Sequence, residues 1–209
     1  MNTINKNITT LIFDFGGVLL NLDMPACMSA FQRLGYNNIN EYLNHYKQNG
    51  FFLDFEEGKI STADFFKELQ KIVGNNASVQ DVENAFLAFL GDVPQYKLDL
   101  ILQLRKKYRI LMLSNINAFV YDYSKRTYFE KNGKTINDYF EKVYLSFEIG
   151  ICKPDRRIFD HMIADARLTP EYCLYLDDGE KNIETAKELG FATYLVQPHE
   201  DFSPLFYCG

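Results

Sequence analysis

The chain has 209 residues, 47% apolar and 24% charged, which is enough to build a packed core and argues against intrinsic disorder. Acidic residues outnumber basic ones 28 to 22, and a net charge of −6 argues against nucleic-acid binding, which leans on a basic face. No apolar run approaches a membrane span, so no membrane partner is expected. The four cysteines, Cys27, Cys152, Cys173 and Cys208, form no C-x-x-C pair and read as reduced thiols in a cytoplasmic protein. Cys152 adjoins Lys153, a cation expected to lower its pKa, although a packing thiol is the stronger reading.

The first apolar run, Leu11-Ile12-Phe13, is too short for a helix and reads as a strand buried on both faces. No strand run follows from residue 21 to residue 94. Instead Met24, Cys27, Met28, Phe31 and Leu34 recur at helical spacing. Ser61-x-x-Asp64 and Ser78-x-x-Asp81 precede further amphipathic runs and resemble capping boxes with Asp in place of Glu. This stretch predicts an all-helical insertion of about four helices. Within it, Phe51-Phe52-Leu53-Asp54-Phe55 holds more apolar side chains than one helical face accommodates. Part of that run is a candidate wall for a cleft, with packing inside the insertion the stronger reading.

After Pro94 the pattern alternates. Ile110–Leu113, Val143–Leu145, Cys173–Leu176 and Ala192–Val196 read as strands. Between them, Ile158, Phe159, Met162, Ile163 and Ala166 stripe one face of Asp155–Ala166, and Gly190 stops a helix over Lys181–Leu189. Alternation of this kind predicts an α/β fold, a Rossmann-like parallel sheet core carrying an inserted all-helical cap. The core spans 1–20 and 95–209 and the cap 21–94. The Phe/Tyr-rich tail from Pro198 is a candidate to lie across the core. His45, His161 and His199 fit no metal spacing, and His161 falls on the polar side of its helix.

Polar residues follow each strand run. Asp14 and Gly16-Gly17 follow the first, Ser114, Asn115 and Asn117 the second, Ser146, Glu148 and Lys153-Pro154 the third, and Asp177-Asp178-Gly179 the fourth. An open parallel sheet gathers such positions at the carboxyl ends of its strands, where these folds bind ligands. Asp14 and Asp178 offer hard oxygen ligands to Mg2+. Lys153 and the Ser114 hydroxyl suit a phosphoryl group, and a carboxylate beside such a site can act as the nucleophile.

The segments Leu-Ile-Phe-Asp14-Phe-Gly-Gly-Val-Leu, Leu-Ser114-Asn, Lys153-Pro-Asp and Leu-Asp177-Asp178-Gly-Glu-Lys-Asn182, in that order, resemble the haloacid dehalogenase superfamily of hydrolases. Glu57-Gly58-Lys59-Ile60-Ser61 is similar to the link between cap helices in the subgroup with a helical cap after the first motif. The resemblance implies Asp14 as nucleophile, Ser114 with Asn115 as phosphate-binding residues, and Lys153 as the lysine that holds both. It also implies Asp14, Asp178 and the Gly16 carbonyl as Mg2+ ligands. Asp177 is implied as ligand or support, and Glu148 and Asn182 as candidate braces.

The residue two after the nucleophile is commonly a second Asp in the family; here Gly16 has no proton to give. Candidates to replace it are Asp23, Glu56, Glu57 or water. Without that acid, aryl and anomeric sugar phosphates are expected to react better than simple alkyl phosphates. The activity implied is Mg2+-dependent hydrolysis of a small phosphorylated metabolite, such as a sugar phosphate, through an aspartyl-phosphate. A metal-independent 2-haloacid dehalogenase is the alternative, disfavoured because adjacent Asp177-Asp178 near a third carboxylate call for a cation. A non-catalytic phosphate-ligand sensor is the other, disfavoured by the full set of site residues.

Overall fold

A computed structural model of the chain describes residues 7–37, 50–74 and 76–207; His45 and Cys208 lie outside the described residues. Five strands, β1 (Thr10–Phe13), β2 (Arg109–Ser114), β3 (Lys142–Leu145), β4 (Cys173–Asp177) and β5 (Ala192–Leu195), form one parallel sheet in the order β3-β2-β1-β4-β5. The three central strands are buried almost throughout, which is why each is a continuous apolar run. At the edges, β3 begins at exposed Lys142 and β5 is half-buried along its length.

Among the described residues, four helices separate β1 from the helix that leads into β2: α1 (Met24–Arg33), α2 (Phe51–Glu56), α3 (Thr62–Val73) and α4 (Val79–Leu87). Helix α5 (Gln95–Leu104) then precedes β2. After it come α6 (Ala118–Ser124), α7 (Ile136–Tyr139), α8 (Ser146–Ile149), α9 (Arg156–Ala166), α10 (Glu180–Glu188) and α11 (Pro204–Tyr207). The capping signals act where expected. Ser78 and Asp81 exchange both bonds of a capping box, and the Ser61 hydroxyl accepts from the Asp64 amide at 3.1 Å.

Alternation along the strands divides the interior into two cores. Ile12, Leu111, Leu113 and Tyr175 face α9 and α10 through Ile158, Phe159, Met162, Ile183 and Ala186. Leu11, Phe13, Ile110, Met112, Leu174 and Leu176 face the other side, which also takes in the helical insertion and the tail. The tail does lie on that core, with Phe202 and Phe206 ring centroids 6.0 and 6.5 Å from Phe13.

The insertion has an aromatic centre. Phe55 stacks on Phe65 at 4.1 Å, and Phe52, Phe66 and Phe86 meet Phe65 edge to face at 5.1–5.3 Å. The chain enters and leaves the insertion as a short antiparallel ribbon. The Asn21 amide donates to Asp92 and the Gly91 amide to Asn21, each at 2.9 Å, and the Asp23 amide donates to Phe89 at 2.8 Å.

Candidate active site

The order of the strands reverses about β1, so the chain leaves the sheet centre toward β2 on one side and β4 on the other. That leaves a crevice at the carboxyl ends of the three central strands. Asp14, Ser114 and Asp177-Asp178 sit there because each ends or directly follows one of these strands. A cavity of about 560 Å3 opens over them. Its floor includes Asp14, Gly16, Ser114, Lys153 and Asp178, and the insertion adds Leu22, Glu56, Phe89 and Leu90.

Lys153 arrives from the loop after α8. Asn115 holds its backbone at both ends: the Lys153 amide donates to Asn115 Oδ1 at 2.7 Å, and Asn115 Nδ2 donates to the Lys153 carbonyl at 2.8 Å. Both polar ends of Asn115 are thus engaged in placing Lys153. The Lys153 side chain is 1% exposed, and its Nζ lies 3.0 Å from Asp14 Oδ2 and donates to Asp177 Oδ2 at 2.8 Å and to the Leu113 carbonyl at 2.9 Å. Asp14 Oδ1 accepts from the Phe15 amide at 2.7 Å.

The Asp177 carboxylate is saturated. Oδ2 accepts from Lys153 and Tyr175, and Oδ1 accepts from the Gly179 amide at 2.7 Å and Asn182 at 2.9 Å. Asn182 therefore braces Asp177. Tyr175 was missed in the sequence, although its position two residues before Asp177 on one strand puts both side chains on the same face.

Burial raises the Asp14 carboxyl most; Lys153 pulls it back, Asp177 and Asp178 push it up again, and it settles at about 7. Burial alone would lower Lys153, but Asp14 and Asp177 overcome that and hold it above the usual lysine value. Burial likewise opposes ionisation of Asp177, yet Lys153, Tyr175 and Asn182 leave it below the usual range. The expectation for Cys152 is reversed: burial, reinforced by Glu56, pushes its thiol up to about 12 despite the neighbouring Lys153. A buried thiol of that kind is inert.

Oxygens of Asp14, Asp177 and Asp178 lie within 4.8 Å of one another. Asp177 belongs to this acidic cluster but has its lone pairs occupied and does not line the cavity, whereas Asp14 and Asp178 both do, where a cation would meet them. The backbone has made room for Asp178. Gly17 holds φ at +75°, and a Cβ on it would sit 2.1 Å from Asp178 Oδ2. Hard carboxylate oxygens around a cradle that only glycine permits suit Mg2+.

Other candidates fall elsewhere. Asp23 is exposed, caps α1 by accepting from the Ala26 amide at 2.9 Å, and does not line the cavity. Glu148 is exposed on α8 and does not line it either. Glu57 pairs with Lys59 at 2.5 Å, whereas Glu56, 9% exposed, faces the cavity. Phe51, Phe52 and Phe55 pack within the insertion and Leu53 does not line the cavity; its apolar wall draws on Leu20, Leu22, Phe89 and Leu90 instead. Exposed His161 and His199 stand apart from it.

Compared with known proteins, residues 8–190 match the profile of the haloacid dehalogenase-like hydrolases. The chain belongs to this family. A D-ribitol-5-phosphate phosphatase from Bacteroides thetaiotaomicron is 41% identical to this hydrolase over 195 residues, covering 93% of this chain and 95% of that one. A HAD family enzyme from the same organism, crystallised with magnesium and inorganic phosphate, aligns with a TM-score of 0.90 at 39% identity, covering 95% of this hydrolase and 99% of that chain. A HAD-like family hydrolase from Porphyromonas gingivalis aligns with a TM-score of 0.86 at 38% identity, covering 94% and 95% respectively.

Proposed function

We propose that this hydrolase is a Mg2+-dependent phosphatase for a small phosphorylated alditol or sugar, acting through an aspartyl-phosphate on Asp14. The observation that carries the reading is the buried set of Asp14, Lys153 and Asp177 beside Asp178, at the floor of a cavity sized for a metabolite. The likeness to a D-ribitol-5-phosphate phosphatase supports an alditol phosphate as substrate.

Asp14 attacks phosphorus, held in place by the Phe15 amide and the Lys153 ammonium. Lys153 keeps its charge between two carboxylates and faces the phosphoryl oxygens, with the Ser114 hydroxyl beside them. Asp177 fixes Lys153, and Asn115 fixes its backbone. Asp14, Asp178 and the Gly16 carbonyl would hold Mg2+, which would neutralise phosphate charge there. The insertion acts as a cap, with residues 21–94 over a core of 1–20 and 95–209. Its wall of Leu22, Phe89 and Leu90 limits water at the reacting ester.

The unpaired thiols Cys27, Cys152 and Cys173 support a cytoplasmic location. No helix among the described residues is long and apolar enough to cross a membrane. The test is turnover of D-ribitol 5-phosphate with Mg2+. Asp14→Asn is expected to stay folded and lose turnover, and chelation is expected to stop the native enzyme reversibly. Retained turnover in Asp14→Asn, or turnover without divalent metal, would overturn the assignment.

A further inference from the structure

We infer that Glu56 is the proton-transfer residue of this site, giving a proton to the leaving alcohol and later taking one from the attacking water. The inference rests on the phosphatase reading above. An alkoxide is a poor leaving group, so its departure calls for a proton, and Gly16 beside the nucleophile has none. The acids lining the cavity are Asp14, Glu56, Asp178 and Glu180. Asp14 is the attacking group, and Asp178 shares the acidic cluster with it. Glu180 lies exposed in the first turn of α10, on the strand-end side that holds the phosphoryl group. Glu56 alone among these four comes from the insertion, the wall toward which the organic part of the ester must extend.

Glu56 is also held in register with the phosphate-binding end. It is the last residue of α2. Its carbonyl accepts from the fully buried Ser146 hydroxyl at 2.7 Å, and the same hydroxyl oxygen accepts from the Ile116 amide at 2.9 Å. Ile116 is two residues beyond Ser114. Just past Glu56, Gly58 at φ +66° presses against the Phe147 carbonyl, where a Cβ would lie 2.2 Å away. These contacts pin the end of α2 to the sheet, so Glu56 is placed by the core as well as by the insertion.

The step balances. The Asp14–phosphorus bond forms as the ester P–O bond breaks, and the Glu56 proton goes to the departing oxygen, which leaves as the alcohol. The Glu56 carboxylate then takes a proton from water as that water attacks phosphorus. Inorganic phosphate and free Asp14 result, and Glu56 is protonated again.

The experiment compares native enzyme and Glu56→Gln on D-ribitol 5-phosphate and p-nitrophenyl phosphate, with Mg2+ and a melting curve for each protein. An aryl oxygen leaves without help, and kcat/KM reports steps only through formation of the phosphoenzyme. The expected result is a loss of about 100- to 10,000-fold in kcat/KM for the alditol phosphate, and about threefold or less for the aryl ester. The variant should also release a burst of p-nitrophenolate before slow turnover, because water attack lacks its base. Equal losses on both substrates, or no loss on either, overturn the role of Glu56; Glu56→Asp repeats the comparison if the amide fails to fold. Native enzyme that hydrolyses neither ester overturns the phosphatase reading itself, and this inference with it.

Discussion

Replacing Lys153 with methionine keeps much of the side-chain volume and removes the ammonium from between two carboxylates. The side chains involved are 1% exposed for Lys153, 0% for Asp177 and 11% for Asp14, so solvent cannot replace the lost charge. At an effective dielectric of about 20, each unit pair about 4 Å apart contributes about 4 kcal/mol. Two features reduce the net loss. Asp14, at about 7, is partly protonated near neutrality, and Asp177 keeps the Tyr175, Gly179 and Asn182 donors. A stability loss of about 3 kcal/mol is expected, at the low end of the range for breaking a buried ion pair. In a chain of this size that lowers the melting temperature by roughly 6–12 °C. Urea unfolding should be measured in EDTA at about pH 7, because a divalent cation would occupy the same field. Adding Asp177→Asn removes the stranded charge, so the double variant should recover at least about 1 kcal/mol relative to additivity. A loss under about 1 kcal/mol, or strict additivity, would refute the claim that Lys153 neutralises this carboxylate pair.

Two further outcomes follow from the same geometry. Gly17→Ala would drive a Cβ into Asp178 at a left-handed φ, so Mg2+ affinity should fall about 10- to 100-fold by calorimetric titration, with a stability loss of about 1 kcal/mol. The pH dependence of the metal-free protein has a definite sign. Folded Asp14 titrates at about 7 against an ordinary 3.8, so the folded state retains a proton that the unfolded chain has released. Stability from this group is complete below the unfolded value and is lost as pH rises through about 7. Mg2+ requires the ionised carboxylate, so the rise in melting temperature it causes should be larger at about pH 8 than at about pH 5.5; an equal or smaller rise at the higher pH would contradict the raised pKa.

Much of this was legible because the sheet is central and parallel. Strands buried on both faces are apolar along most of their length, so the polar residue that ends or follows each one, Asp14 above all, marks the end of a strand and the edge of the crevice. Other features depended on contacts that no local pattern encodes. In the sequence Ser146 is only one of the polar residues after the third strand, and nothing local shows that Glu56 and Ile116 meet across its hydroxyl. The Phe51–Phe55 run was ambiguous because apolar character does not say which neighbour a side chain meets; α3 and α4 claimed it, and Phe89 and Leu90 took the cavity wall. Asp23 was attractive for its place where the chain enters the insertion, yet an acidic residue just before a helix satisfies backbone amides first.

The ribbon that joins Asn21–Asp23 to Phe89–Asp92 separates two design problems. Because the chain departs and returns at hydrogen-bonded neighbours, the sheet registers a gap only one strand spacing wide, about 5 Å, whatever lies beyond it. Residues can be added to or removed from the helices without moving Asp14 relative to Ser114 or Asp178. The same crossing is therefore a natural splice point. Joining Asn21 to Asp92 through a tight turn would leave an uninterrupted sheet whose phosphoryl-handling end opens to bulky partners, and exchanging the insertion would change which alcohol is admitted while Asp14, Ser114, Lys153 and Asp178 stay in place, provided the new insertion again supplies a carboxyl where Glu56 stands.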